Sequence, residues 1–268
     1  MRRFIRSFVL TQLVVLACAL EIAVLNVGQG LSILVQPPTG QVVLIDAGPR
    51  VNSAVQYLPH FGADHIDVLI ASHNHADHIA GIPAVLASVP TRFYMDNALP
   101  HTTQVYQRVL EAVLRAEAQL LEPEARTITM GNAVLHIVPP TGVAAWGQNN
   151  NSIGVRLEYG AFSAFFPGDA EPLQWEWWLA TYPDTFAPVV LHVASHHGSR
   201  DGDTPAGAAA LQPQLVIISA GEDNQYGHPH PELLALYEAV PVLRTDVHGT
   251  IRVAAELDGS YVVYVDRD

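Results

Sequence analysis

At 268 residues the chain has room for one large or two small globular domains with a substantial core. Its apolar share of 49% and the absence of any low-complexity tract exclude a disordered or fibrous protein. The formal net charge is −13 and all 13 basic residues are arginine, which excludes a general electrostatic attraction for nucleic acid.

In chain order, the first segment stands apart. "MRRFIRS" is basic, "FVLTQLVVLA" is apolar and "ACA" offers a small-x-small cleavage site, the layout of a secretory signal over residues 1–19. "VLAC" also has the form of a lipobox, so three outcomes stand open: cleavage after Ala19, lipidation of Cys18, or an uncleaved anchor. Each places the protein outside the cytoplasm, periplasmic or extracellular, with a membrane contact only through a lipid on Cys18 or the anchor. From residue 20 to 268 no linker or charge block divides the chain, and one domain is expected.

Short β-rich runs follow: "EIAVLNV", "SILVQ" and "VVLID", broken by "GQG" and "PPTG". Residues 51–61 have helical spacing, and "IDVLIAS" reads as a buried strand. A helix over 79–87, the strand "TRFYM" and a long amphipathic helix over 103–120 come next. The second half repeats the alternation. "AVLHIVPP", "SIGVRLEYG" and "FSAFFPGD" read as strands, and "EPLQWEWWLAT" as a helix whose Trp175, Trp177 and Trp178 pack on a sheet. The strand "VVLHVASHHGS" precedes a helix at 205–212, the strand "LVIISAG", a helix at 231–239 and three closing strands. Two β-rich halves carrying helices predict an α/β (α+β) fold of two packed sheets with helices outside.

"SHNHADH" at 72–78 puts His73, His75, Asp77 and His78 at a strand end before a helix. Imidazole and carboxylate at this density suit a divalent metal, and not the thiolate cages of structural zinc. His73 and His75 share a side while the chain is extended. A second histidine pair, His196–His197, ends another strand. Strand alternation predicts that its members point apart, with His196 favoured as a ligand and His197 turned to substrate.

These segments resemble the metallo-β-lactamase superfamily, with "SHNHADH" in place of its H-x-H-x-D-H signature. "LNVGQGLSILVQPPTGQVVLIDAG", "NNNSIGVRLEYG", "FFPGDAE", "SHHGSRDGDTP" and "YGHPHPELL" also stand in the order of the extracellular hydrolase-like domain of DNA-uptake ComEC proteins. The resemblance covers nearly all of 22–253. It implies a four-layer αβ/βα sandwich and two divalent ions, zinc first and manganese second. His73 and His75 would hold one ion, Asp77 and His78 the other, and Asp169 would bridge them. Asp46 would orient a ligand histidine. His228 and His230 would contact substrate or metal, and Ser199 lies beside the histidine pair. Many members carry a further ligand histidine where this chain has "NNNSIG". Here Asn150, Asn151 and Ser152 offer only weak oxygen ligands.

The resulting expectation is a hydrolase in which a hydroxide bridging two metals attacks a phosphodiester, DNA first, with Asp77, His197 and His228 as catalytic residues and no broad basic surface to grip a strand. A hydrolase of a small ester, lactone, β-lactam or phosphorylated headgroup is the alternative. A non-catalytic metal-binding module associated with DNA uptake is the second. Uptake itself would need a membrane channel that this chain lacks. The sequence leaves the oligomeric state open.

Overall fold

The computed structural model describes residues 19–267, so the segment read from the sequence as an export signal, Cys18 included, lies outside the described residues except for Ala19. The chain opens with β1 (Leu20–Val24), β2 (Ile33–Gln36) and β3 (Val43–Ile45), an antiparallel set joined by the two glycine turns. β4 (Ile66–Ile70) adds in parallel to β3. A crossover through α1 (Ala76–Ile79) and α2 (Ile82–Ser88) leads to the parallel strand β5 (Thr91–Met95). A second crossover through α3 (Gln104–Ala116) reaches the short edge strand β6 (Gln119–Leu120).

The chain then moves to a second sheet. β7 (Arg126–Met130), β8 (Ala133–Val138), β9 (Gly154–Tyr159) and β10 (Phe162–Phe166) form an antiparallel meander. After α4 (Pro172–Thr181), parallel β11 (Leu191–Val193) follows. α5 (Pro205–Leu211), β12 (Leu215–Ile218), α6 (Pro231–Leu236) and β13 (Val242–Arg244) complete that sheet. The turn α7 (Thr245–His248) returns the chain to the first sheet, where β14 (Ile251–Ala255) pairs β1 and β15 (Tyr261–Val265) closes the edge. The strand orders are β15-β14-β1-β2-β3-β4-β5-β6 and β13-β12-β11-β10-β9-β8-β7.

Period-2 alternation builds the four layers. Ile22, Val24, Ile33, Val35 and Ile70 from the first sheet meet Leu157, Phe162, Phe166, Leu191 and Ile217 from the second in one core. The intervening Ala23, Leu34, Leu44 and Leu69 face outward under Ile82, Val85, Val109 and Val113 of α2 and α3. Phe165 faces outward on the other side, under Trp175 and Trp178 of α4, and Val216 and Ile218 lie under Leu233 of α6. Burying each such large side chain stabilises the fold by about 1.5–3 kcal/mol. The layered α/β sandwich expected from the sequence is therefore the observed fold.

Local differences have physical causes. Residues 51–61 form turns ending in a 3-10 turn at Leu58–Phe61, because Pro59 lacks the N–H that a helix interior needs. The helix read to residue 120 stops at Ala116, where Glu117 adopts φ 54 and releases the chain into β6. The segment at 79–87 is divided between α1 and α2 at Gly81.

Gly81 is required by a close approach: a β-carbon there would lie 2.1 Å from the Ala47 carbonyl oxygen. This contact seats the start of α2 on the 46–48 turn. Gly81→Ala is expected to destabilise the protein by about 1–3 kcal/mol through overpacking, read as a lowered midpoint in urea unfolding.

Candidate metal centre

The C-terminal ends of β4, β10 and β11 converge at one edge of the sandwich. The turn after β4 carries Ser72 to His78, with the last two chemical groups in the first turn of α1. β10 runs out into Gly168 and Asp169, and β11 into Ser195–Gly198. The two sheets touch directly here, where Ile153 N–H donates to the Ser72 carbonyl; within the second sheet, His196 N–H donates to the carbonyl of Gly168.

One ligand atom from each of Asp77, His78, Asp169 and His197 falls within a 4.8 Å cluster. His78 Nε2 lies 3.2 Å from both His197 Nε2 and Asp169 Oδ1. His197 Nε2 is 3.3 Å from Asp77 Oδ2 and 3.5 Å from Asp169 Oδ2. Alongside, His73 Nε2 and His75 Nδ1 are 3.0 Å apart, and His73 Nε2 is 3.8 Å from Asp169 Oδ2. Asp169 thus stands between both groups of imidazoles. Donor atoms held about 2.0 Å from a tetrahedral ion sit about 3.3 Å from one another, which matches these spacings.

The hydrogen bonds behind the rings decide what the front atoms offer. Asp46 Oδ2 is 2.7 Å from His78 Nδ1, while its other oxygen accepts the Ser72 N–H at 2.7 Å. His197 Nδ1 donates to the Ser219 carbonyl at 3.0 Å. Both rings therefore keep their proton on Nδ1 and turn the Nε2 lone pair inward. Ser72 Oγ donates to Asp46 and stands 3.2 Å from His73 Nδ1, extending the same pattern. Lone pairs facing lone pairs around a buried carboxylate are held apart by a proton or joined by a cation. Asp169 Oδ1, buried with no well-directed hydrogen bond, makes the same point. The donor set fits divalent metal: Asp77, His78, Asp169 and His197 could hold one ion, and His73 and His75, beside Asp169, would offer donors to a second.

The electrostatics agree. Burial, then His78, depresses the pKa of His73 and of His75. Burial acts likewise on His78, but Asp169 and Asp46 outweigh it and hold that ring well above its ordinary value. His197 is raised by Asp169 and Asp77 against its burial. Asp169 is held well below the carboxylate range, burial being overcome by His78 and His197, and Asp77 is lowered by the same two rings.

The histidine pair departs from expectation. His197, not His196, enters the cluster, because β11 stops at Val193 and strand alternation no longer applies. Both residues are left-handed, at φ 51 and 56. His196 is not part of the four-residue cluster: its Nε2 is as far from Asp169 Oδ2 as that of His73, 3.8 Å, but its Nδ1 is 3.4 Å from Glu171 Oε1 and the ring is a quarter exposed. Asn151 is consumed by its own loop, bonded to Thr141, Val143 and Gly147. Asn150 donates to Glu171, and Ser152 Oγ accepts the Asp169 N–H. None of the three offers a free oxygen to the cluster; Asn149, whose Nδ2 is 3.5 Å from His196 Nε2, is the member of that run beside the site. Ser199 Oγ accepts from Asp201 N, and His230 Nδ1 accepts from Arg200 N, so both brace the loop. His228 lies with its ring centroid 5.8 Å from that of His196 and 6.4 Å from that of His197. His101 lies with its ring centroid 5.9 Å from that of His75, its Nδ1 bonded to the Asn74 carbonyl. Ser72 and Ser219 carry no motif signal, since their roles come from atoms behind the rings.

A family model described as the metallo-beta-lactamase superfamily matches residues 25–222. The chain is 28% identical over 255 residues to ComE operon protein 3 of Bacillus subtilis (strain 168), covering 87% of this chain and 32% of that protein. It is 25% identical over 242 residues to Recombination protein 2 of Haemophilus influenzae, covering 87% of this chain and 28% of that protein. The chain therefore spans about a third of the length of these relatives. Among solved structures, the metallo-beta-lactamase fold protein YhfI from Bacillus subtilis superposes with a TM-score of 0.58 at 12% identity, covering 92% of this chain and all of that one. A diphosphatase from the PhnP family superposes at 0.51 with 16% identity, covering 86% and 96%. At these identities both bear on the fold alone.

Two predictions follow from the geometry. His197→Ala is expected to reduce bound metal per chain in elemental analysis, and His196→Ala to leave it unchanged. Because the facing carboxylates raise the proton affinity of His78 and His197, protons compete with a metal for these rings, and ligation requires the neutral rings. Metal uptake is therefore expected to release protons, and affinity to fall as pH is lowered. Calorimetric titration in buffers of different ionisation enthalpy checks both.

Proposed function

The chain belongs to the metallo-beta-lactamase superfamily, and from that premise we propose that it is an exported metal-dependent hydrolase that cleaves phosphodiesters, with DNA the leading substrate. The observation that carries the reading is the pair of imidazoles, His196 and His228, standing beside the ligand cluster without joining it. A phosphoryl group placed at the cluster presents several oxygens at once, and two further nitrogen donors at the mouth suit it. The name Recombination protein 2 borne by one relative favours DNA among phosphodiesters.

Bound divalent ions would supply Lewis acidity and acidify water enough for attack near neutral pH. The chain's own residues do the rest. Asp46, Ser72 and Ser219 lock the orientation of the ligand rings, so that little reorganisation accompanies reaction. His196, a quarter exposed and beside the Glu171 carboxylate through Nδ1, is placed to pass a proton to the departing oxygen.

Charge argues for a local grip. Arg200 is paired with Glu232 at 3.0 Å, and Arg244 is engaged by Asp246. With these cations occupied and a net charge of −13, phosphate is held at the cluster and not along a basic groove. That observation also favours a second reading, a small phosphorylated substrate such as a headgroup.

Purified protein is expected to hold two divalent ions and to turn over an aryl phosphodiester and single-stranded DNA, while nitrocefin is left intact. Asp169→Ala is expected to lose both activities. The DNA rate is expected to change little between about 50 and 200 mM salt, where groove-led binding would weaken by orders of magnitude. Under one metal per chain, with no turnover of any of the three substrates, would defeat the hydrolase reading. Turnover of the aryl ester without DNA would select the small substrate.

A further inference from the structure

The motif "VGQG" is not accounted for by the ligand set. Gln29 sits in the turn between β1 and β2, and its side chain reaches the loop after β12. Its Oε1 accepts the Gly221 N–H at 3.0 Å, and its Nε2 lies 3.3 Å from His228 Nδ1. The first bond fixes which end of the amide is which. The end facing His228 is the NH2 group, which only donates, so Nδ1 must accept. A neutral His228 ring then has its proton on Nε2.

The surroundings are built for this contact. A β-carbon on Gly221 would lie 2.6 Å from the Gln29 backbone nitrogen, so only glycine lets the two segments meet. Asn224 clamps the His228 backbone from both sides, accepting its N–H at 2.9 Å and donating to its carbonyl at 2.7 Å. Tyr226 stacks on the ring, centroids 5.6 Å apart. The same glycine turn supports a ligand: Ser219 Oγ donates to the Gly30 carbonyl, and the Ser219 carbonyl holds His197.

We propose that Gln29 is a positioning residue that fixes the His228 proton on Nε2, so that the ring meets the substrate as a hydrogen-bond donor to a phosphoryl oxygen. The substrate half of this proposal rests on the phosphodiesterase reading; the Gln29–His228 half does not. A ring that accepts through Nδ1 stays neutral and gives up no proton, which separates its task from that of His196. Burial, with His197 and His196 nearby, pushes the His228 pKa down to about 4, in keeping with a neutral ring.

The test is a long-range proton–nitrogen correlation spectrum of the full chain, labelled with 15N and loaded with zinc, alongside kinetics. Wild-type protein is expected to show His228 protonated on Nε2. Gln29→Glu replaces the donor with an acceptor and is expected to move that proton to Nδ1, with kcat on single-stranded DNA lowered by about 10²-fold and KM changed far less. Gln29→Leu, which removes the contact without reversing it, is expected to give a mixture of tautomers and an intermediate kcat. A His228 proton on Nδ1 in the wild type, or a tautomer indifferent to both substitutions, overturns the proposal. The wild-type spectrum decides this even if both variants fail to fold. The expected tautomers together with an unchanged kcat overturn the substrate half alone. The expected tautomers in a protein that turns over no phosphodiester defeat the phosphodiesterase reading and uphold the assignment of Gln29.

Discussion

The edge of the sandwich is organised around one buried carboxylate. Asp169 is 2% exposed, and its charge can be kept there only if cations surround it. It arrives from the second sheet, whereas His73 and His78 arrive from the first, so the interaction also fastens the two sheets where no strand pairing does. The carboxylate raises the proton affinity of His78 and His197 around it, and ions would take the place of such protons and bind the facing atoms together. The site and the sheet packing are therefore coupled, and loosening either exposes an uncompensated charge in the other.

Three of the seven non-glycine residues with positive φ among the described residues stand around the same carboxylate. Asp46, His196 and His197 all adopt positive φ, a conformation that costs non-glycine residues about 1–3 kcal/mol each. Each is held by bonds that a relaxed backbone would forgo. Asp46 takes the Ser72 amide and the His78 ring, while the His196–His197 turn is closed by Ser199 N–H on the His196 carbonyl and by His230 N–H on that of Gly198. The left-handed turn is what brings His197 into the cluster while leaving His196 at its rim.

That turn also marks where sequence reasoning stops. Alternation along β1, β2, β10 and β12 made the layered fold legible, because each strand is buried on both faces in a regular way. The density of His73, His75, Asp77 and His78 made a metal site legible from seven residues. The choice between His196 and His197 was not, since it depends on two φ angles that no residue type announces. Strand β7 was missed because "RTITM" is half exposed at a sheet edge and lacks a buried run. Gln29 and His228 are 199 positions apart, so their contact exists only once the β1–β2 turn and the loop after β12 have been folded against each other. The carboxylate of Asp46 is a similar case, legible as a supporting residue through family resemblance but given its partner, His78, only by the fold.

What distinguishes the histidines of this site is less their position than the partner behind each ring. His78 gives its Nδ1 proton to a carboxylate and His197 gives its own to a carbonyl, so each presents a lone pair on Nε2 and is suited to hold a cation. His228 receives a proton at Nδ1 from an amide, so it presents N–H on Nε2 and is suited to an anion. The same imidazole is thus sorted into opposite tasks by whether an acceptor or a donor stands at its back. An acidic chain without a basic groove can still engage a phosphodiester on these terms. On the proposed reading, the positive charge that meets the substrate would be that of ions at the ligand cluster, and the remaining recognition would fall to neutral donors whose direction is set by hydrogen bonds reaching in from distant parts of the chain.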